Sequence, residues 1–147
     1  MKILKKIFYK IFSELKTIYY EDVYFIQNSA TCSYVAEKTK LYKPFSVIHS
    51  LIGKGTYIAE NSKISYTNIG KFCSFGPNLV CGWGIHPING ISTSPFFYST
   101  KKQNGFTIAK RDLIEERKRI NIGNDAFIGA NVTILDGISI GDVAIIG

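Results

Sequence analysis

A six-residue rhythm of apolar positions constrains this chain more than any other feature. Val35, Leu41, Val47, Ile52, Ile58, Ile64, Ile69, Phe75 and Cys81 follow one another at steps of six, six and five, so three positions make a cycle of seventeen residues. After a gap the rhythm resumes at Ile122, Ile128, Ile134, Ile140 and Ile146, at a strict step of six. All fourteen positions are apolar and nine are Ile. Glycine follows directly at 53, 70, 76, 82, 123, 129, 141 and 147, which uses eight of the thirteen glycines in the chain. Four places after the apolar position the residue is small or apolar at Thr39, Thr56, Ser62, Cys73, Leu79, Ala126, Val132, Ile138 and Ala144, with Asn68 as an exception.

A period of six matches neither a helix nor the two-residue alternation of a half-buried strand. It does suit a short extended side followed by a corner, and three such sides close one triangular coil. Stacked coils bring each aliphatic residue about 4.8 Å from its equivalent and fill a narrow interior. One coil has no buried core of its own, so stability comes from its neighbours. The glycines serve corners where the backbone needs either a positive φ or close approach to the next coil. The expected fold class is an all-β solenoid.

Composition narrows the surroundings of that solenoid. At 147 residues the chain holds one domain. An apolar share of 46% with 20% charged residues excludes a disordered segment. The net charge of +7 suits nucleic acid, a membrane surface or an anionic small molecule without choosing among them. No nucleic-acid motif accompanies the charge, so no nucleic-acid partner is expected. Cys32, Cys73 and Cys81 form no CxxC pair and make a poor disulfide framework, which fits a reducing, cytoplasmic compartment. With only His49 and His86, no ordinary metal site is expected.

The uncharged stretch 72–100 contains four Gly and three Pro, so it is not a membrane span. The start, MKILKKIFYKIFSELKTIYY, reads as an amphipathic helix with Leu4, Phe8, Ile11 and Leu15 on one stripe and lysines around it. It is no signal peptide. Residues 1–20 serve either as a structural cap or as a peripheral contact with an anionic membrane, which would station the protein at the inner membrane surface.

The segments IGKFCS-FGPNLV-CGWGIHP and IGNDAF-IGANVT-ILDGIS-IGDVAI resemble the hexapeptide-repeat acyltransferases, over roughly residues 35–147. The resemblance implies a left-handed parallel β-helix assembled as a homotrimer, with sites between subunits. Handedness comes from the family, because ordinary parallel crossovers are right-handed. The expected division is a helix and lead-in at 1–34 and a β-helix domain at 35–147, interrupted by one long inserted loop at 87–121.

The break falls on a histidine. Adding seventeen to Ile69 gives 86, where the rhythm wants an aliphatic residue and the chain has His86, followed by Pro87. The stretch GWGIHP and the following STSPFF are similar to the xenobiotic acetyltransferases of this fold and to relatives that modify surface sugars. In that family the histidine opening the extended loop is the catalytic base, and His86 matches it. Imidazole suits the task, since a hydroxyl attacking an acetyl-CoA thioester must lose its proton near neutral pH. No Ser or Cys nucleophile is needed, and Cys73 and Cys81 read as core. In related galactoside acetyltransferases an aromatic-Ile-Gly-small motif lines the coenzyme site, and its small residue supplies a backbone N–H for the oxyanion. The matching residues are Phe127, Gly129 and Ala130, with Phe127 standing where the family usually has Trp.

The function implied is transfer of acetyl from acetyl-CoA, without a metal, to a hydroxyl of a sugar or cell-surface polysaccharide precursor. A xenobiotic acceptor such as an antibiotic is the alternative. Glu115 and Glu116 are weaker candidates for orienting the imidazole, and Trp83, Phe96, Phe97 and Tyr98 for an acceptor wall; His49 reads as structural. The rhythm is still running at Gly147, where relatives continue with more coil and a cap. The β-helix therefore looks truncated at its C-terminus, and a non-catalytic scaffold remains a third reading.

Overall fold

The computed structural model describes residues 28–147, and the expected amino-terminal helix lies outside them. The described chain winds through three parallel sheets of five strands each. Sheet A takes β1 (Asn28–Thr31), β4 (Phe45–Ile48), β7 (Ser62–Ser65), β10 (Val80–Cys81) and β13 (Thr133–Ile134). Sheet B takes β2 (Tyr34–Val35), β5 (Leu51–Ile52), β8 (Thr67–Ile69), β11 (Ile120–Ile122) and β14 (Ser139–Ile140). Sheet C takes β3 (Lys40–Leu41), β6 (Tyr57–Ile58), β9 (Ser74–Phe75), β12 (Phe127–Ile128) and β15 (Ile145–Ile146).

The strand register places the rhythm in three interior columns. Val35, Ile52, Ile69, Ile122 and Ile140 stack in sheet B. Leu41, Ile58, Phe75, Ile128 and Ile146 stack in sheet C. Ala30, Val47, Ile64, Cys81 and Ile134 stack in sheet A. The middle coils are the driest, with Ile52, Ile58, Ile64, Phe75, Cys81 and Ile128 at 1% exposure or less. Each aliphatic side chain buried this way contributes about 1.5–3 kcal/mol, and that sum over a shared column is what a single coil lacks.

The glycines divide the two roles that the sequence left open. The residue turned into left-handed backbone is usually the third after each inward position: Lys38 (φ 61°), Asn61 (58°), Phe72 (59°), Asn78 (60°), Asp125 (53°), Asn131 (60°) and Val143 (58°). The glycines directly after the inward residues serve close approach instead. A Cβ on Gly53 would meet the Gly70 carbonyl of the next coil, one on Gly70 would meet that of Gly123, and one on Gly76 would lie 2.7 Å from Ala130 N. Gly82 alone in this series also has a positive φ, at 61°.

Two boundaries differ from the sequence expectation. The solenoid is under way by β1, whose Ala30 pairs with Val47, ahead of the expected start at residue 35. The inserted loop leaves after β10, at Cys81, and the column resumes at Ile120, so the loop begins earlier and ends slightly sooner than the expected 87–121. Ile120 N donates to Tyr66 O at 3.0 Å, and Ile122 pairs with Ile69 across the excised segment. The loop emerges at the corner between sheets A and B, where the coils above turn one residue sooner, at His49 and Tyr66. A shorter corner gives the seventeen-residue cycle; the last coil turns there through Gly137 and takes eighteen, from Ile122 to Ile140.

Candidate active site

Both legs of the inserted loop are tied to one carboxylate. Asp136 accepts from Gly84 N on the outgoing leg at 2.9 Å, and from Arg117 Nε and Lys118 N on the returning leg at 3.1 Å each. Its side chain is 1% exposed and that of Arg117 is 28% exposed. The Arg117 guanidinium also donates to Ser65 Oγ at 2.7 Å and Gly82 O at 2.8 Å, and lies over the Tyr66 ring at 4.7 Å. Next to this anchor, Ile85 N donates to Glu116 O at 2.8 Å, which closes the two legs just before His86.

His86 is exposed, and its Nδ1 is held from two sides. Nδ1 lies 2.9 Å from the Thr93 carbonyl oxygen and 2.9 Å from Tyr98 Oη. A carbonyl oxygen only accepts, so the contact with Thr93 is satisfied when Nδ1 carries the proton. That tautomer leaves a lone pair on Nε2. The rings of His86 and Tyr98 meet edge-on at 6.4 Å between centroids.

Tyr98 is fixed by local sequence. Ser94 caps a 3-10 turn at Pro95–Phe97, its hydroxyl accepting from Phe96 N, with proline at the start where no N–H is needed. Tyr98 ends the turn by donating its N–H to Pro95 O at 3.2 Å and accepts from Leu113 N at 2.9 Å. The residue is 5% exposed. Burial raises the Tyr98 hydroxyl pKa, and the negative Glu116 adds to the rise while Lys101 opposes it.

Glu116, one of the weaker sequence candidates for orienting the imidazole, uses its carboxylate elsewhere. It accepts from Ser99 Oγ at 2.8 Å, Lys101 Nζ at 2.6 Å and Gln103 Nε2. Burial pushes its pKa up, yet these hydrogen bonds and the Lys101 charge prevail and hold it below the ordinary carboxylate value. Glu116 thus pins the segment that carries Tyr98, and Glu115 sits exposed, 3.9 Å from Lys118 Nζ. Thr93 lies in the STSPFF stretch and Tyr98 was a candidate for the acceptor wall, but no sequence signal tied either to the imidazole, and Asp136 was not singled out at all. Only the Asp-Gly pair at a corner could have hinted at a special role for Asp136.

Phe127, Gly129 and Ala130 lie on another part of the column. Phe127 is 45% exposed on sheet C, in the outward row with Ser74 and Ile145. Gly129 N donates to Ile146 O at 2.7 Å, and Asn131 N to Pro77 O at 2.9 Å. Among the described residues, none accepts a backbone hydrogen bond from the N–H of the exposed Ala130 between them. Pro77 occupies the same place in the coil above, where no N–H exists at all. The corner carrying Ala130 joins sheets C and A, whereas the loop with His86 leaves where A meets B. A single chain therefore presents base and amide at two different corners rather than in one cleft.

The aromatic candidates also separate. Phe96 packs edge-on with Phe97 at 4.8 Å and Phe106 at 5.1 Å inside the loop, while Trp83 lies beneath Lys63 Nζ at 5.9 Å. His49 stacks edge-on with Tyr66 at 5.3 Å in the corner column. Cys73 and Cys81 are buried in the core, where burial pushes the Cys81 thiol up to about 12. Among the described residues no group of three His, Cys, Asp or Glu side chains is placed to hold a metal, and no helix is long and apolar enough to cross a membrane.

A three-sided column of parallel strands, with a hexapeptide rhythm inside and one loop thrown out at a corner, is a hexapeptide-repeat left-handed β-helix. By sequence the chain is homologous to acetyltransferases. It is 31% identical over 116 residues to a chloramphenicol acetyltransferase of Agrobacterium fabrum, a match covering 77% of this chain and 54% of that protein. It is 38% identical over 82 residues to a chloramphenicol acetyltransferase of Morganella morganii, covering 54% of this chain and 38% of the relative. A probable macrolide acetyltransferase of Lysinibacillus sphaericus is 39% identical over 80 residues, covering 53% and 44% respectively. The matches thus take in about half or less of these relatives' length. The crystal structure of a hexapeptide-repeat containing acetyltransferase from Vibrio cholerae superposes with a TM-score of 0.53 at 20% identity, over 78% of this chain and 62% of that one. No protein-family model matches the chain.

Proposed function

We propose that the protein is an O-acetyltransferase that moves an acetyl group from acetyl-CoA to a hydroxyl of a small-molecule acceptor. The observation that carries this reading is the exposed His86, with Nδ1 facing a carbonyl and Nε2 left as a base at the point where the loop leaves the column. Nε2 takes the hydroxyl proton as the oxygen attacks the thioester carbon, and later returns it to the departing thiolate. The Ala130 N–H of an adjacent copy bonds the developing oxyanion, and Phe127 and Gly129 border the coenzyme. Because one chain carries base and amide at separate corners, this chemistry calls for a homotrimer with sites between subunits. The free cysteines fit the cytoplasm, the compartment we assign.

The relatives, chloramphenicol acetyltransferases and a probable macrolide acetyltransferase, favour the xenobiotic acceptor over the sugar hydroxyl suggested by the sequence alone. The test is acetyl transfer from acetyl-CoA across a panel of antibiotic and sugar hydroxyls, with the wild-type chain and His86→Ala. Removing a general base lowers kcat by about 100- to 10,000-fold with the fold intact. Full turnover in His86→Ala overturns the assignment.

A further inference from the structure

We propose that Tyr98 is the positioning residue for His86, holding the imidazole against the Thr93 carbonyl so that Nε2 stays directed at the acceptor. The inference deepens the acetyl-transfer reading and rests on it for its kinetic arm only. Thr93 O and Tyr98 Oη both lie 2.9 Å from Nδ1. With the proton on Nδ1 committed to a carbonyl, Tyr98 faces it with an oxygen lone pair, and the N–H is shared between two acceptors. When Nε2 takes up the acceptor's proton the ring becomes a cation, and hydrogen bonds from a cation are the stronger kind. Both oxygens then stabilise the charged ring more than the neutral one, so the clamp favours the step that deprotonates the hydroxyl.

The clamp is built to keep its shape. Tyr98 is buried at the end of its proline-led turn, and its neighbour Ser99, 0% exposed, donates to Glu116. The Glu116 backbone carbonyl in turn holds Ile85, the residue before His86. Tyrosine and histidine are thereby tied to one another through a short path as well as by their direct contact. An exposed histidine without such a clamp would choose its tautomer freely in water.

The test uses the chain labelled with 15N-histidine, which gives two imidazoles, His49 and His86, assigned by their loss in His86→Ala. In the wild type the neutral His86 ring is expected to show a protonated Nδ1 and a bare Nε2. Tyr98→Phe keeps the ring and its packing but removes the oxygen. In that variant the His86 signals are expected to move toward the average of two tautomers, with unchanged thermal unfolding. Turnover is expected to fall about tenfold in kcat, with KM for acetyl-CoA unchanged. A wild-type ring protonated at Nε2, or a Tyr98→Phe spectrum identical to wild type, overturns the clamp. Turnover retained in both Tyr98→Phe and His86→Ala, with the tautomer as expected, instead overturns His86 as the base, and a wild-type chain that transfers no acetyl group overturns the acetyl-transfer reading; both leave the clamp standing.

Discussion

Asp136 shows how one residue sets the geometry of a loop whose legs lie 52 and 18–19 positions away in sequence. Its carboxylate gathers Gly84, Arg117 and Lys118, and thereby fixes where both legs leave the column. Asp136→Ala leaves the Arg117 guanidinium with only Ser65 Oγ and Gly82 O, next to two freed backbone N–H groups. Stripping the partner from a largely buried ion pair costs about 3–5 kcal/mol, and the partial exposure of Arg117 sets the expectation at about 3 kcal/mol. Urea unfolding of the variant measures it, and a loss below about 0.5 kcal/mol would mean that the anchor contributes little. Nothing in the apolar rhythm announces Asp136, because its partners come from the loop and not from the repeat. The same holds for Tyr98 and Thr93, which are brought to His86 by a turn inside the excursion. His86, by contrast, was legible because it falls where the rhythm, continued from Ile69, calls for an aliphatic residue and the chain instead leaves the column.

At the scale of strands and corners, the two glycine roles give different expectations for one substitution. A methyl group on Gly70 would press into the Gly123 carbonyl of the next coil, whereas one on Gly141 would meet nothing within 4 Å. Gly70→Ala is expected to lower stability by about 2–3 kcal/mol, within the range for overfilled interiors, and Gly141→Ala to change it by less than about 0.5 kcal/mol. Thermal unfolding of the pair distinguishes the accounts, since equal losses would mean that conformation and not spacing demands glycine here. The interior columns could be read from the sequence because burial selects apolar side chains at every inward place. The left-handed corner positions could not, because Lys38, Phe72, Asn78 and Val143 share a backbone conformation without sharing a chemistry. The loop limits were displaced for a related reason. Trp83 to Ile85 and Arg117 to Arg119 run beside the column and bond to it without entering the repeat.

For the molecule as a whole, the central claim is that the proposed site is completed only between copies. The corner between sheets A and B offers the base, the corner between C and A offers the amide, and the width of sheet A separates them within one chain. Pro77 in the place equivalent to Ala130 shows that the corner accepts proline, so Ala130→Pro removes the N–H while sparing the coil. Alone, Ala130→Pro is expected to lose about 100- to 1,000-fold in kcat, as for removal of an oxyanion donor. The most direct measurement unfolds Ala130→Pro and His86→Ala chains together, refolds the mixture and assays acetyl transfer. Random assembly into trimers pairs an intact His86 with an intact Ala130 in about a quarter of the sites, and that share of wild-type activity is the expected recovery. A mixture as inactive as either variant alone, with both chains folded and associated, would contradict a site shared between subunits.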